Sequence, residues 1–273
     1  MATTAYSVLI LALGVSVGSF LNVIADSLPS GRPLLNPGSS CDSCMAPLRA
    51  VDKMPVLSYI WLRGRCRHCG ILRIPGRLPI AEAATGGFYV LFYWRHGFEA
   101  EFFIFIAATS LLVVVTLIDL THRLILNKIV FPSILALLAL SPFWGQLGDG
   151  RHFFGMAGMF GSFANSLTAG IGYLLLILAT LLINPKGMGM GDVKLAGLLG
   201  LLVGFPLVFV AFSVTMMVGG GVAAYLLLAR GMGRHDTIPY GPFMVLGAIV
   251  ALLVGADIWG WYSDFALSFG SSS

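Results

Sequence analysis

The chain has 273 residues, 58% of them hydrophobic and only 10% charged, with a formal net charge of +4. A soluble domain carries about 25% charged residues, so this composition excludes an ordinary soluble fold and makes a polytopic membrane protein the default class. The positive balance is not read as nucleic-acid binding, because the basic residues follow membrane topology instead.

Residues 1–25 contain no charged side chain. A secretory signal needs Lys or Arg ahead of its apolar run, so this segment reads as a retained first span, roughly 5–25. A crossing helix needs about 20 apolar residues. Further spans are expected near 80–94, 102–118, 129–147, 158–183, 195–205, 207–229 and 240–260. The stretch Leu195 to Ala229 is 35 uncharged residues, too long for one ordinary crossing. Gly204-Phe205-Pro206 is its natural break, since Gly and Pro punctuate helices. The expected fold is therefore all-α and polytopic, with eight transmembrane helices. The expected organisation is a first helix (1–25), a cytoplasmic loop domain (26–79) and a seven-helix membrane domain (80–273).

Fourteen of the 16 Lys and Arg fall in the loops 26–79, 119–128, 184–194 and 230–239; the opposite loops hold only Arg95 and Arg151. By the positive-inside rule the first set faces the cytoplasm, and both termini face outward. Trp259, Trp261 and Tyr262 suit an interfacial aromatic belt.

The loop 26–79 contains all four cysteines, Cys41-Asp-Ser-Cys44 and Cys66-Arg-His-Cys69. Two CxxC pairs separated by 21 residues read as a zinc ribbon, each pair supplying half of a thiolate tetrahedron. Two disulfides are the alternative, but the cytoplasm is reducing. A redox CxxC is another, without the βαβ unit that usually surrounds one. Four Cys leave no open coordination position, so the ion reads as structural. Metal binding contributes about 10–16 kcal/mol to folds this small. His68 reads as a surface residue.

Nine Asp and three Glu are present, most of them in loops. Asp119 and Asp192 differ. Asp119 directly follows the uncharged run 102–118, and Asp192 ends Gly187-Met-Gly-Met-Gly-Asp192 and precedes a long apolar run. A carboxylate at a helix end near the bilayer is costly and marks function by default. The topology puts both on the cytoplasmic side at similar depth. Two carboxylates that approach each other share a proton; the ionised one acts as base on a water, and the protonated one donates to a carbonyl. Gly189 and Gly191 let backbone, and a substrate strand, approach Asp192, although packing glycines alone also explain them. Lys194 either acts electrostatically on the pair, meets substrate or snorkels to the interface. Glu82 pairs with Arg77 or serves a second activity. Asn22 lies at the cytoplasmic end of the first span, and Ile238-Pro-Tyr-Gly-Pro242 shapes a loop near the site.

The chain resembles the type IV prepilin peptidases, the leader peptidase/N-methyltransferases. The resemblance rests on Gly18-Ser-Phe-Leu-Asn-Val23, both CxxC pairs, Pro55-Val-Leu-Ser58, Leu62-Arg-Gly-Arg-Cys66, Asp119-Leu120, Gly187-Met-Gly-Met-Gly-Asp-Val-Lys-Leu195 and Ile238-Pro-Tyr-Gly-Pro242. It implies eight spans in a bacterial inner membrane and a GxGD-type aspartyl peptidase with Asp119 and Asp192 as its pair. It further implies cleavage of the basic leader of prepilins and pseudopilins on the cytoplasmic side, followed in many members by methylation of the new N-terminus from S-adenosylmethionine. The chain departs from the family at Ile125-Leu126-Asn127, where a proline usually stands second, and at Asp52-Lys-Met-Pro55. A proton-coupled transporter using the same aspartates is the rival reading, but transporters often carry internal repeats and none is evident. A membrane-anchored zinc-ribbon adaptor leaves the glycine-rich run before Asp192 unexplained.

Overall fold

The computed structural model describes residues 2–31, 44–46, 54–70, 75–147, 156–183, 188–230 and 239–270. Among them all regular elements of any length are helical: α1 (Ala2–Ser27), α2 (Leu57–Trp61), α3 (Arg77–His96), α4 (Ala100–His122), α5 (Asn127–Leu140), α6 (Trp144–Leu147), α7 (Gly158–Ile183), α8 (Met190–Val203), α9 (Leu207–Arg230) and α10 (Gly241–Gly270). Six helical stretches are long and apolar enough to cross a membrane: Thr3–Ser27, Ala100–His122, Asn127–Leu147, Gly158–Ile183, Leu207–Leu226 and Gly241–Ala266. The other two expected spans coincide with helices outside that set. α3 carries Arg77, Glu82 and Arg95, and α8 has only 14 residues, about 21 Å at 1.5 Å per residue.

The chain forms two compact units, residues 1–98 with 102–118, and residues 99–101 with 119–273. In the first unit α1 and α3 run antiparallel in a register read directly from their contacts. A Cβ on Gly14 would lie 2.7 Å from the Cα of Gly86, and one on Gly18 would lie 2.8 Å from the Cα of Glu82. One turn further Asn22 Nδ2 donates to the Leu78 carbonyl at 3.2 Å, and next Arg77 pairs with Asp26 at 2.8 Å. Small residues at four-residue spacing let two membrane helices touch backbone to backbone, which gains dispersion contacts where apolar lipid offers no hydrophobic drive. Asp26, expected to be a solvated loop charge, is instead helical and pairs with Arg77, and α1 extends to Ser27. Tyr89 and Ser110 share a hydrogen bond of 2.7 Å, and Phe92 and Tyr93 pack on Phe105 and Phe102, which ties α3 to α4.

In the second unit α8 packs against α5, α7, α9 and α10. Every residue from Leu195 to Val203 is buried, the signature of a helix apolar on all faces. Gly200 makes this possible, since a Cβ there would clash with the Ala169 carbonyl of α7. The expected break falls where the sequence places it, between Val203 and Leu207. Asn165, fully buried on α7, holds that break: its Nδ2 donates to the Phe205 carbonyl at 2.7 Å, and its Oδ1 accepts from the Phe205 amide at 2.8 Å. Backbone N–H and C=O groups at a break between helices are ordinarily paired, here by one side chain. Asn165→Leu orphans one donor and one acceptor at about 1–3 kcal/mol each. It is expected to destabilise the protein by about 2–4 kcal/mol, read as a lower unfolding midpoint in detergent; an unchanged midpoint contradicts the clasp.

Candidate active site

Asp119 lies in the last turn of α4, 5% exposed. The apolar run 102–118 propagates the helix to this point, and Arg123, in left-handed conformation, closes it by donating its N–H to the Asp119 carbonyl at 2.9 Å. The Asp119 side chain belongs to a different helix start. Gly241 is the first residue of α10, and its N–H donates to Asp119 Oδ2 at 3.1 Å. The first amides of a helix have no partner within it, so a carboxylate from another segment can cap them. The approach requires glycine: a Cβ on Gly241 would lie 2.6 Å from Asp119 Oδ2.

Asp192 is the third residue of α8 and 8% exposed. Its Oδ2 accepts from the Gly189 amide at 3.0 Å, while its own amide donates to the Gly189 carbonyl at 3.1 Å. This is the side-chain half of a capping box. The two aspartates therefore share one device, a single backbone N–H at a helix start that fixes Oδ2. Neither Oδ1 accepts a hydrogen bond from a described residue. The carboxylates lie within electrostatic range of each other, and Arg123 acts on Asp119. Tyr240, next to Gly241, feels the Asp192 charge, and its hydroxyl donates to Met216 Sδ at 3.6 Å. Within the segment Pro239–Pro242, Gly241 thus contacts Asp119; Ile238 and Gly187 are outside the described residues.

The connector after Asp119 is fastened to α8 at two places. A Cβ on Gly191 would lie 3.0 Å from Ile125 Cβ, so Gly191 is occupied by packing, whereas a Cβ on Gly189 would meet Asp192 Oδ2 at an ordinary 3.8 Å. Lys194 Nζ donates to Asn127 Oδ1 at 3.0 Å and lies 5.5 Å from the Phe131 ring centre. Leu126, where the family resemblance leads to the expectation of proline, has φ −75° and ψ 122°. That is the conformation proline itself prefers, so the connector keeps its path without the ring.

In the first unit the sulfur atoms of Cys44, Cys66 and Cys69 lie within 4.8 Å of one another, with Cys44 and Cys66 at 4.0 Å. A disulfide needs about 2.05 Å; thiolates around a tetrahedral ion with Zn–S near 2.3 Å stand about 3.8 Å apart. The three residues fit a metal ion. Gly70, at φ +65°, returns its amide to the Cys66 carbonyl at 2.9 Å and turns the chain around the cluster. His68 is exposed and outside the cluster. Cys41 lies outside the described residues, as do Asp52 and Lys53. Glu82 does not pair with Arg77: its Oε2 accepts from the Val56 amide at 2.7 Å.

A buried pair of carboxylates at helix ends of an all-α membrane protein defines a candidate aspartic site. Residues 12–96 match the family described as the bacterial Peptidase A24 N-terminal domain, and residues 106–224 match the type IV leader peptidase family. The chain is 31% identical to a prepilin leader peptidase/N-methyltransferase of Pseudomonas putida, over 90% of each chain. It is 29% identical to proteins of the same description from Bacillus subtilis, over 93% of this chain and 96% of that one, and from Aeromonas hydrophila, over 94% and 93%. No solved structure matches. The chain belongs to the type IV prepilin leader peptidase/N-methyltransferase family, and is a multi-pass membrane aspartic peptidase of a bacterial family.

Proposed function

We propose that Asp119 and Asp192 are the catalytic pair, and that they cleave the basic leader of type IV prepilins and pseudopilins at the cytoplasmic face of the inner membrane. The observation that carries this reading is the matched placement of the two carboxylates. Both are buried, each is fixed through Oδ2 by one helix-start amide, and neither Oδ1 is hydrogen-bonded among the described residues. In the reaction the ionised carboxylate takes a proton from water while the protonated one donates to the scissile carbonyl oxygen. On collapse of the tetrahedral species the leaving amine takes up the proton. Gly189, less tightly packed than Gly191, is the side from which substrate backbone approaches Asp192; Gly191 serves that approach by seating the connector through Ile125. The substrate is itself an apolar helix preceded by positive charge, so the charge rule that orients the enzyme also holds the leader in the cytoplasm.

In this proposal α3 and α8 complete eight crossings, with both termini outside, and the organisation is a first helix (1–25), a loop domain (26–79) and a seven-helix peptidase domain (80–273). Lipid and prepilin are the partners; nucleic acid is not. Zinc held by Cys41, Cys44, Cys66 and Cys69 cross-links the loop domain, which lacks a core of its own. Removing the metal, or Cys66→Ser, is expected to make the loop protease-sensitive first and to lower cleavage only secondarily; a loop and activity both unaltered by metal removal contradict the structural role. The second step is methylation of the new N-terminal residue, with S-adenosylmethionine as donor.

The test is mass spectrometry on an intact prepilin treated with the purified chain in detergent. The product is expected to lose the leader and, with S-adenosylmethionine present, to gain the mass of one methylene at its N-terminus. An intact prepilin after treatment overturns the reading.

A further inference from the structure

The first unit holds polar groups that peptide hydrolysis does not use. They sit where the α1/α3 register reaches the loop domain. Asn22 is 5% exposed, and its Nδ2 is spent on the Leu78 carbonyl, but its Oδ1 is enclosed and has no hydrogen-bond partner among the described residues. Arg77, the neighbour of Leu78, gives Nη2 to Asp26, while its Nη1 is enclosed without an acceptor. Glu82, one helical turn from Leu78 and 8% exposed, spends only Oε2 on the Val56 amide. Val56 is held there at φ +57°, a positive value that a β-branched residue avoids.

Buried polar atoms are ordinarily paired, and an orphan costs about 1–3 kcal/mol. An acceptor, a cationic donor and a half-used carboxylate thus line the first turn and a half of α3, where α1 packs on it. The complementary ligand presents a cation with hydrogens to donate and, beside it, an anion to accept. An α-amino acid zwitterion has that pattern: ammonium toward Glu82 and Asn22, carboxylate toward Arg77. The chain belongs to a family of N-methyltransferases, and S-adenosylmethionine ends in such a group. Asn22 Oδ1 and Arg77 Nη1 are the acceptor and the donor left for that group.

We propose that Asn22, Arg77 and Glu82 bind the α-amino-acid end of the methyl donor. The proposal rests on the methyltransferase half of the function above and names the residues for it. The three are binding residues; the methyl group is chemically remote from them, and no step of methyl transfer is assigned to them.

The test compares two ligands on the purified full chain by equilibrium dialysis. S-adenosylhomocysteine carries the amino-acid end, and 5′-methylthioadenosine lacks it. The unaltered protein is expected to prefer S-adenosylhomocysteine by roughly 100-fold, the scale of a pair of charge-assisted hydrogen bonds. Glu82→Gln keeps an oxygen for the Val56 amide and removes the charge. Glu82→Gln and Arg77→Gln are each expected to weaken S-adenosylhomocysteine at least 10-fold and to leave 5′-methylthioadenosine and leader cleavage within about threefold. Asn22→Leu is expected to act in the same direction. Equal weakening of both ligands, or of neither, overturns the assignment, the first by making the residues structural and the second by making them uninvolved. An unaltered protein that binds neither ligand overturns the site and the methyltransferase reading together. Binding without the preference overturns the site alone.

Discussion

Asp119→Asn and Asp192→Asn each lower leader cleavage by roughly 10⁴-fold or more, the scale on which one member of a catalytic unit acts, and leave the protein folded. The two halves of that expectation have separate physical grounds. Asparagine presents an oxygen of the same reach, so the Gly241 amide keeps its acceptor at position 119 and the Gly189 amide keeps one at position 192. The volume is unchanged, so the packing of α8 is not disturbed. What asparagine cannot do is ionise or give up a proton. The check is the cleavage rate of each variant beside its unfolding midpoint in detergent. A variant that cleaves normally removes its aspartate from the mechanism. A variant that fails to fold would show that the carboxylate charge also stabilises the helix start.

Gly241→Ala is expected to have the next largest effect, a loss of about 100-fold in cleavage, because displacement of a reacting group by about 1 Å costs that much. The added Cβ would stand 2.6 Å from Asp119 Oδ2 and 3.2 Å from its Cγ. Carbon contacts settle near 3.5–4.0 Å, so one side must give. The atoms met belong to the tip of a side chain, which moves more readily than backbone. The carboxylate therefore swings off its amide while the helices stay packed, and the stability loss stays within about 1–3 kcal/mol. Gly220→Ala on α9 is the control, since a Cβ there meets nothing within 4 Å. Activity retained by Gly241→Ala would mean that the amide contact does not set the geometry of Asp119.

Much of this was legible in the residues. Asp119 and Asp192 announce themselves as charges at the ends of apolar runs, and Gly204-Phe205-Pro206 marks the break that structure places there. Three of the four cysteines come together as their spacing expects. What escaped the sequence is contact across distance. Asn165 is one polar residue in an apolar helix, and nothing local says that its partner is the backbone of Phe205, 40 residues on. The Gly241 amide and Asp119 are 122 positions apart; the glycine reads as one more loop residue until a carboxylate is found where its side chain would be. Gly191 reads as an opening for substrate, and its packing against Ile125 became visible only with the connector in place. Helix ends were misjudged for a related reason. Asp26 and Arg77 look like loop charges singly, yet both are helical and paired, beyond the apolar runs of α1 and α3.

The central claim is that the two aspartates act as one unit, and the most direct measurement is leader cleavage by the Asp119→Asn/Asp192→Asn double variant beside both single variants. Groups that work together are strongly non-additive. The account predicts that the double variant cleaves within about threefold of the slower single variant. Losses that multiply, or a single variant with normal cleavage, would contradict it.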